Sequence, residues 1–350
     1  MDNFTFYSPT YFVFGKETEK ETGKYVKKYG GTKVLIHYGG GSAVRSGLIA
    51  RIEASLDAEG IGYVELGGVK ASPHADLIYK GIDFAKKEKV DFILAVGGGS
   101  VMDSAKGIAL GVPYDGDFWD FYCGKKGPVT EALPVGCVVT IAASGSEGST
   151  DSVVTLDTED GHEYKRCADG DILRPLFAIM NPELMMTLPP YQTASGISDI
   201  MAHCMERYFS HTKECELTDR LLEAVMLTMI KEARRVMKDP MNYDARANIM
   251  WAAMVAQNRC RPRPGLGHPP HGQRNWHPLW SQPRCRSCPS LPVLDDVCHE
   301  DPGANSLCQI RKPRLGHSHG LRTSGTDCHG RHQSLPALCQ RRPGHADHHQ

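Results

Sequence analysis

Short runs of branched apolar residues alternate along this chain with stretches whose apolar positions recur every three or four residues. "KVLIHYGGGS" (residues 33–42) is a β-branched run ending in three glycines, and "LIARIEASLDAEGI" behind it has apolar residues at helical spacing. Residues 92–110, "FILAVGGGSVMDSAKGIAL", repeat the plan of strand, turn and helix. "VGCVVTIAASGSEGS" (135–149) predicts another buried strand entering a turn of small residues, and "LFAIMNP" (176–182) predicts one more strand. Strands alternating with helices predict a mostly parallel sheet with helices on both faces.

From Tyr191 the pattern changes. "QTASGISDIMAHCMERYFS", "LTDRLLEAVMLTMIKEARRVMKD" and "ARANIMWAAMVAQN" are three helical patterns with no strand between them, so an all-helical domain begins near Pro190. The pattern breaks off in or just after the third helix, near Asn258. Residues 260–350 hold 11 of the 16 His, 7 of the 12 Cys and 12 of the 22 Pro, yet no Phe, Tyr or Met. So little branched and aromatic surface does not offset the entropy of ordering a backbone, and this tail is expected to be disordered. The expected organisation is an α/β dinucleotide-binding domain over 1–188, a truncated all-helical domain over 189–259 and a tail of low order over 260–350.

The formal net charge of −1 hides an uneven split: 28 Lys+Arg against 35 Asp+Glu up to Arg259, and 12 against 6 in the tail. An acidic body argues against a dedicated nucleic-acid binder, and the tail arginines lack the aromatic rhythm of a specific one. The start "MDNFTFYSPT" lacks the basic and apolar regions of a signal peptide, and no apolar run approaches the roughly 20 residues that cross a bilayer. A cytoplasmic protein is expected. The body's cysteines (Cys123, Cys137, Cys167, Cys204, Cys215) show no paired spacing, which fits free thiols in a reducing compartment.

Three turns carry candidate chemistry. "GGGS" at 39–42, with Gly40 and Ser42, reads alone as either a phosphate loop or a plain turn. In "VGGGSVMDSAK", Gly97, Gly98 and Ser100 close a buried strand and Asp103 sits one turn into the next helix. Backbone N–H groups and the helix N-terminus there converge where a pyrophosphate can lie, and glycine lets it approach the backbone. "TIAASGSE" (140–147) offers hydroxyls and N–H groups from a neighbouring strand end. Neither glycine turn is Gly-x-Gly-x-x-Gly, and no acid follows the first strand to bond a ribose and repel a 2′-phosphate, which leans towards NADP(H) over NAD(H). Asp199 and His203, four apart on a helix, read either as donors for Fe²⁺ or Zn²⁺ or as a surface hydrogen bond. Glu206 and Tyr208 read as structural and His211 as solvated.

With "GGGSVMDSAKGIA", "SGSEGS" and "LPPYQTASGISDIMAHCMERYF" in this order, the body resembles the iron-dependent (group III) alcohol dehydrogenases, in their butanol-dehydrogenase-like branch, over about three quarters of the chain. The resemblance implies a nucleotide domain, a helical metal domain, and a divalent Fe²⁺ or Zn²⁺ that polarises an alcohol or aldehyde oxygen during hydride exchange with NAD(P)(H). No catalytic side chain beyond the metal ligands is implied. It assigns Gly40 and Ser42 to the adenosine end, Gly97, Gly98, Ser100 and Asp103 to the pyrophosphate, and Thr140, Ser144, Ser149 and Lys165 to the surroundings of the cofactor. Ser144 stands where the family often has Thr. Asp199 and His203 match two metal ligands. The family's other two are histidines, one after "DWAT" and one in "HGAGLA", and neither segment is present. The resemblance also implies a homodimer acting on small alcohols or aldehydes.

Read from the second base of suitably chosen codons, the tail yields family-like text. "GLGHPPHGQ" (265–273) can give "DWATHHMG", and "QPRCRSCP" (282–289) can give "SHGAGLA". A frameshift between about residues 258 and 265 is therefore expected, and with two ligands lost the literal chain is expected to be inactive. Loss of later helices would also bare the apolar face of "LLEAVMLTMI". Two other readings stay open: a non-catalytic nucleotide-binding protein, and a metal-binding tail using Cys285 and Cys288 with His299, or His317 with His319.

Overall fold

The computed structural model describes residues 3–210 and 214–257. Along the chain run β1 (Tyr11–Phe14), α1 (Thr22–Lys28), β2 (Lys33–Tyr38), α2 (Ser42–Arg45), α3 (Leu48–Ala58), β3 (Gly62–Leu66), α4 (Ala75–Glu88), β4 (Phe92–Gly97), α5 (Gly99–Gly111) and α6 (Asp120–Cys123). There follow β5 (Val135–Val139), β6 (Asp151–Asp157), β7 (Glu163–Asp169), β8 (Phe177–Met180), α7 (Pro190–Tyr208), α8 (Glu216–Lys238) and α9 (Tyr243–Gln257). Six strands form one sheet in the order β1-β8-β5-β4-β2-β3, every neighbouring pair parallel.

The apolar run in β4 forms a central strand because both of its faces are covered. Phe92, Leu94 and Val96 join one core with Val34, Ile36, Ile52, Leu56 and Val138. Ile93 and Ala95 point the other way, into a core with Leu35, Ile78, Ile108 and Cys137. This period of two places α1 and α3 on one face and α4 and α5 on the other. The sheet order reverses between β2, which leads outward to β3, and β4, which leads to β5 on the other side. Such a reversal opens a crevice at the carboxyl ends of the strands.

The predicted parallel α/β sheet followed by helices is what the structure has. Beyond the strands that the apolar pattern predicts, it adds β1 and β3 at the two edges and an antiparallel hairpin of β6 and β7. The hairpin turns at Gly161, whose φ of 81° suits glycine. α7 begins at Pro190, where a fixed φ and a missing N–H are tolerated in the first helical turn. One expectation is corrected: Leu222, Val225 and Met229 of α8 are buried in the core that α7 and α9 share. The exposed apolar residues of that helix are Leu217, Leu221 and Leu227. The expectations for His211 and for residues 260–350 lie outside the described residues. Cys123, Cys137, Cys167, Cys204 and Cys215 form no disulfide with one another. Among the described residues, no helix is long and apolar enough to cross a membrane.

Candidate active site

The three turns singled out in the sequence lie at the carboxyl ends of three adjacent strands. In register, Tyr38 of β2 pairs with Val96 of β4, and Gly97 of β4 pairs with Val139 of β5. Gly40 and Ser42 are exposed in the turn after β2, where Gly41 has a φ of 96°. Gly97 ends β4 and Gly98 caps α5. The Thr140 amide donates to the Gly97 carbonyl at 3.0 Å, which ties the turn after β5 to the turn after β4. Ser144 Oγ occupies the space that a Cβ on Gly99 would take.

The N-terminus of α5 is the centre of this arrangement. Its first-turn amides have few intrahelical acceptors and carry the positive end of the helix dipole, which suits an anion. A Cβ on Gly97 would stand 2.5 Å from Val101 Cγ2, so the chain can make this turn only with glycine there. The Ser100 hydroxyl accepts from the Ser72 amide at 3.2 Å. The neighbouring Pro73 carbonyl accepts from the Thr155 amide at 2.8 Å, and Thr155 is paired with Lys165 across the hairpin. β6 and β7 thereby set the half-buried Lys165 position beside the loop that holds Ser100.

Asp103 and Ser149 reach the turns through a buried polar network. Ser146 Oγ donates to Asp103 Oδ1 at 2.7 Å. The Lys106 ammonium, fully buried, donates to Ser146 O and Oγ at 2.8 and 2.9 Å, Ser149 O and Oγ at 3.0 and 3.2 Å, and Asp151 O at 2.9 Å. Burial pulls the lysine down from its ordinary pKa, and the Asp103 charge opposes that pull. Burial pushes the Asp103 carboxyl up to about 6 against the opposing Lys106 charge. Isolating an ammonium from water costs several kcal/mol, which only a full set of acceptors and a nearby carboxylate offset. Glu147, in the same turn, is buried with Oε1 lacking a hydrogen-bond partner, and burial pushes its carboxyl up to about 7.

α7 leans on this same edge. A Cβ on Gly196 would overlap the Ala142 carbonyl oxygen, just beyond β5. Asp199 and His203 follow three and seven residues later, on the same helical face. Their Oδ1 and Nε2 stand 3.8 Å apart, with side chains 38% and 26% exposed. Two metal bonds of about 2.1 Å can bridge donors separated by up to about 4.2 Å, so the pair can share an ion. It is not a complete site: among the described residues no group of three or more His, Cys, Asp or Glu is placed to hold one. Glu206 Oε2 lies 4.0 Å from His203 Nδ1, and the Tyr208 hydroxyl donates to Glu223 Oε1 at 2.9 Å.

Sequence reasoning passed over Lys106, Ser146, Ser72 and His37. Lys106 had a signal, being a lone charge inside the apolar helical run "VMDSAKGIAL". His37 of β2 is fully buried between the Leu66 carbonyl and Ser104 Oγ, each at 2.8 Å.

Residues 9–182 match the iron-containing alcohol dehydrogenase family, and residues 193–261 match the C-terminal region of the Fe-containing alcohol dehydrogenase family. A probable NADH-dependent butanol dehydrogenase of Bacillus subtilis is 42% identical over 259 residues, 74% of this chain and 65% of the relative. An NADPH-dependent aldehyde reductase of Escherichia coli is 34% identical over 261 residues, again 74% and 65%. The chain thus spans less than two thirds of the length of these relatives. The crystal structure of an NADH-dependent butanol dehydrogenase from Thermotoga maritima superposes with a TM-score of 0.71 at 38% identity, covering 74% of this chain and 64% of that one. The order of the turns, the parallel sheet, the helices behind it and these matches agree: the chain belongs to the iron-containing alcohol dehydrogenase family.

Proposed function

We propose that the intact form of this protein transfers hydride between NAD(P)(H) and a primary alcohol or aldehyde with the help of a divalent Fe²⁺ or Zn²⁺, as a cytoplasmic homodimer. The observation that carries this reading is the convergence of three phosphate-compatible turns with the Asp199 and His203 face of α7 at one edge of the sheet. In it, Gly40 and Ser42 receive the adenosine end. Gly97, Gly98, Ser100 and the α5 amides take the pyrophosphate. Thr140 and Ser144 line the other half of the cofactor, Lys165 flanks it, and Asp103 and Ser149 act through the network around Lys106.

The literal 350-residue chain is proposed to bind dinucleotide without metal-dependent turnover. Among the described residues Asp199 and His203 supply two donors where catalytic sites use at least three, and the family match stops at residue 261, beside the proposed change of phase at 258–265. A non-catalytic nucleotide-binding protein is accordingly the second reading.

The test compares the 350-residue protein with one whose coding phase is restored after codon 258, assayed for NADH- and NADPH-dependent reduction of a short primary aldehyde with added Fe²⁺ or Zn²⁺. The expected result is cofactor binding by both and turnover by the restored protein alone. Metal-dependent turnover by the literal chain, or an uninterrupted reading frame in the encoding DNA across codons 255–270, would overturn the phase-change account.

A further inference from the structure

In the reading above Lys106 is only the centre of the network through which Asp103 and Ser149 act, yet it is the most heavily bonded buried charge among the described residues. Five oxygens from Ser146, Ser149 and Asp151 lie within 3.2 Å of its ammonium. Three N–H bonds cannot serve five acceptors singly, so the ammonium shares them and draws the chain of residues 146–151 into a loop around itself. Ser146 is the junction, because its hydroxyl donates to Asp103 and accepts from Lys106. Asp103 and Lys106 lie one turn apart on α5, the helix whose N-terminus faces the proposed pyrophosphate position. One helix therefore offers its amide end to the cofactor and, by its third turn, grips the neighbouring strand's turn.

The geometry of the strand ends gives this grip a use. With the adenosine end over β2 and the pyrophosphate over β4, the nicotinamide half extends over β5, where residues 140–149 form the wall. Gly145 of that wall has a φ of 63° and no side chain to fix it, and Ser144 contacts Gly99 across the gap. Inside "AASGSEGS" the Gly148 and Ser149 amides donate to the Gly145 and Ser146 carbonyls at 3.1 and 3.3 Å, and the small side chains add little to these two bonds.

We infer that Lys106 is a positioning residue for the cofactor, one that fixes the turn of residues 144–149 and so places Ser144 against the nicotinamide half. This rests on the dinucleotide reading proposed above. Lys106 holds this turn together with the Arg174 guanidinium, which donates to the Gly148 carbonyl, and methionine matches the length of lysine but brings no donor to replace it.

The test uses the full 350-residue chain and titrates NADH, NADPH and ADP against the unaltered protein, Lys106→Met and the double variant Ser146→Ala/Ser149→Ala. ADP reaches only the turns after β2 and β4, so a loss confined to the dinucleotides is a readout that general destabilisation would not produce. Lys106→Met is expected to weaken dinucleotide binding about tenfold, and the double variant about threefold, with ADP unchanged in both. Should Lys106→Met not fold, the double variant decides alone. Equal loss of ADP and dinucleotide, or unchanged dinucleotide affinity, overturns the inference. If the unaltered protein binds no dinucleotide, the functional reading has failed instead, and amide exchange still tests the grip. Amides of residues 144–149 are then expected to exchange faster in the double variant while those of β4 do not, and uniform exchange would contradict it.

Discussion

Gly196 of α7 lies so close to Ala142 that a Cβ would overlap the Ala142 carbonyl oxygen. This contact sets the distance between α7 and the end of β5, and it can form only where the helix has no side chain. Gly196→Ala must push α7 away or strain the turn, and overpacking of this kind costs about 2 kcal/mol. Chemical denaturation of the variant should show that loss. An unchanged midpoint would mean that α7 is not seated on this turn.

A second contact joins the turns after β4 and β5. Because Ser144 Oγ fills the space beside Gly99, Gly99→Ala should displace a flexible hydroxyl and leave the backbone in place. The expected result is dinucleotide binding weakened about tenfold with a melting temperature changed by only a few degrees, read by fluorescence titration and calorimetry.

His37 predicts a pH effect of definite sign. Burial lowers its pKa from 6.5 to about 4, so the unfolded chain takes up a proton between those values while the folded protein does not. Stability contributed by neutral His37 is present above about pH 6.5 and is lost as pH falls towards 4, by about 3 kcal/mol in all. His37→Gln removes the titration. The stability difference between the unaltered protein and this variant should therefore grow as pH rises from 4 to 6.5, and a flat difference would show that the imidazole is not held neutral.

Glu147 acts in the opposite direction. Its carboxyl rises from 4.5 to about 7, so the unfolded chain ionises first and stability declines as pH rises through that window, then stays level above it. Glu147→Gln keeps the shape and removes the charge. Its advantage over the unaltered protein should be near zero at pH 4 and reach about 3 kcal/mol at pH 8, as measured by denaturation at both values.

Much of this was legible in the sequence because it rests on local pattern. Apolar runs closed by Gly39, Gly97 and Thr140 read as strand ends, and Asp199 with His203 read as one helical face. What escaped depends on partners distant in sequence. β1 pairs only with β8, some 165 residues later, and β7 has polar residues at most positions because one side of the hairpin faces solvent. Lys106 and His37 are polar residues whose burial is made possible by Ser146, Ser149 and Ser104, and no periodicity in their own elements announces those partners.

Equilibrium titration of the full chain with NADH and NADPH, repeated with Gly98→Val, tests the central claim most directly. The account predicts one saturable dinucleotide site in the unaltered protein and its loss in the variant, where a branched side chain stands against Ile141 and blocks approach to the α5 amides. Absence of binding in the unaltered protein, or binding that survives Gly98→Val undiminished, would contradict it.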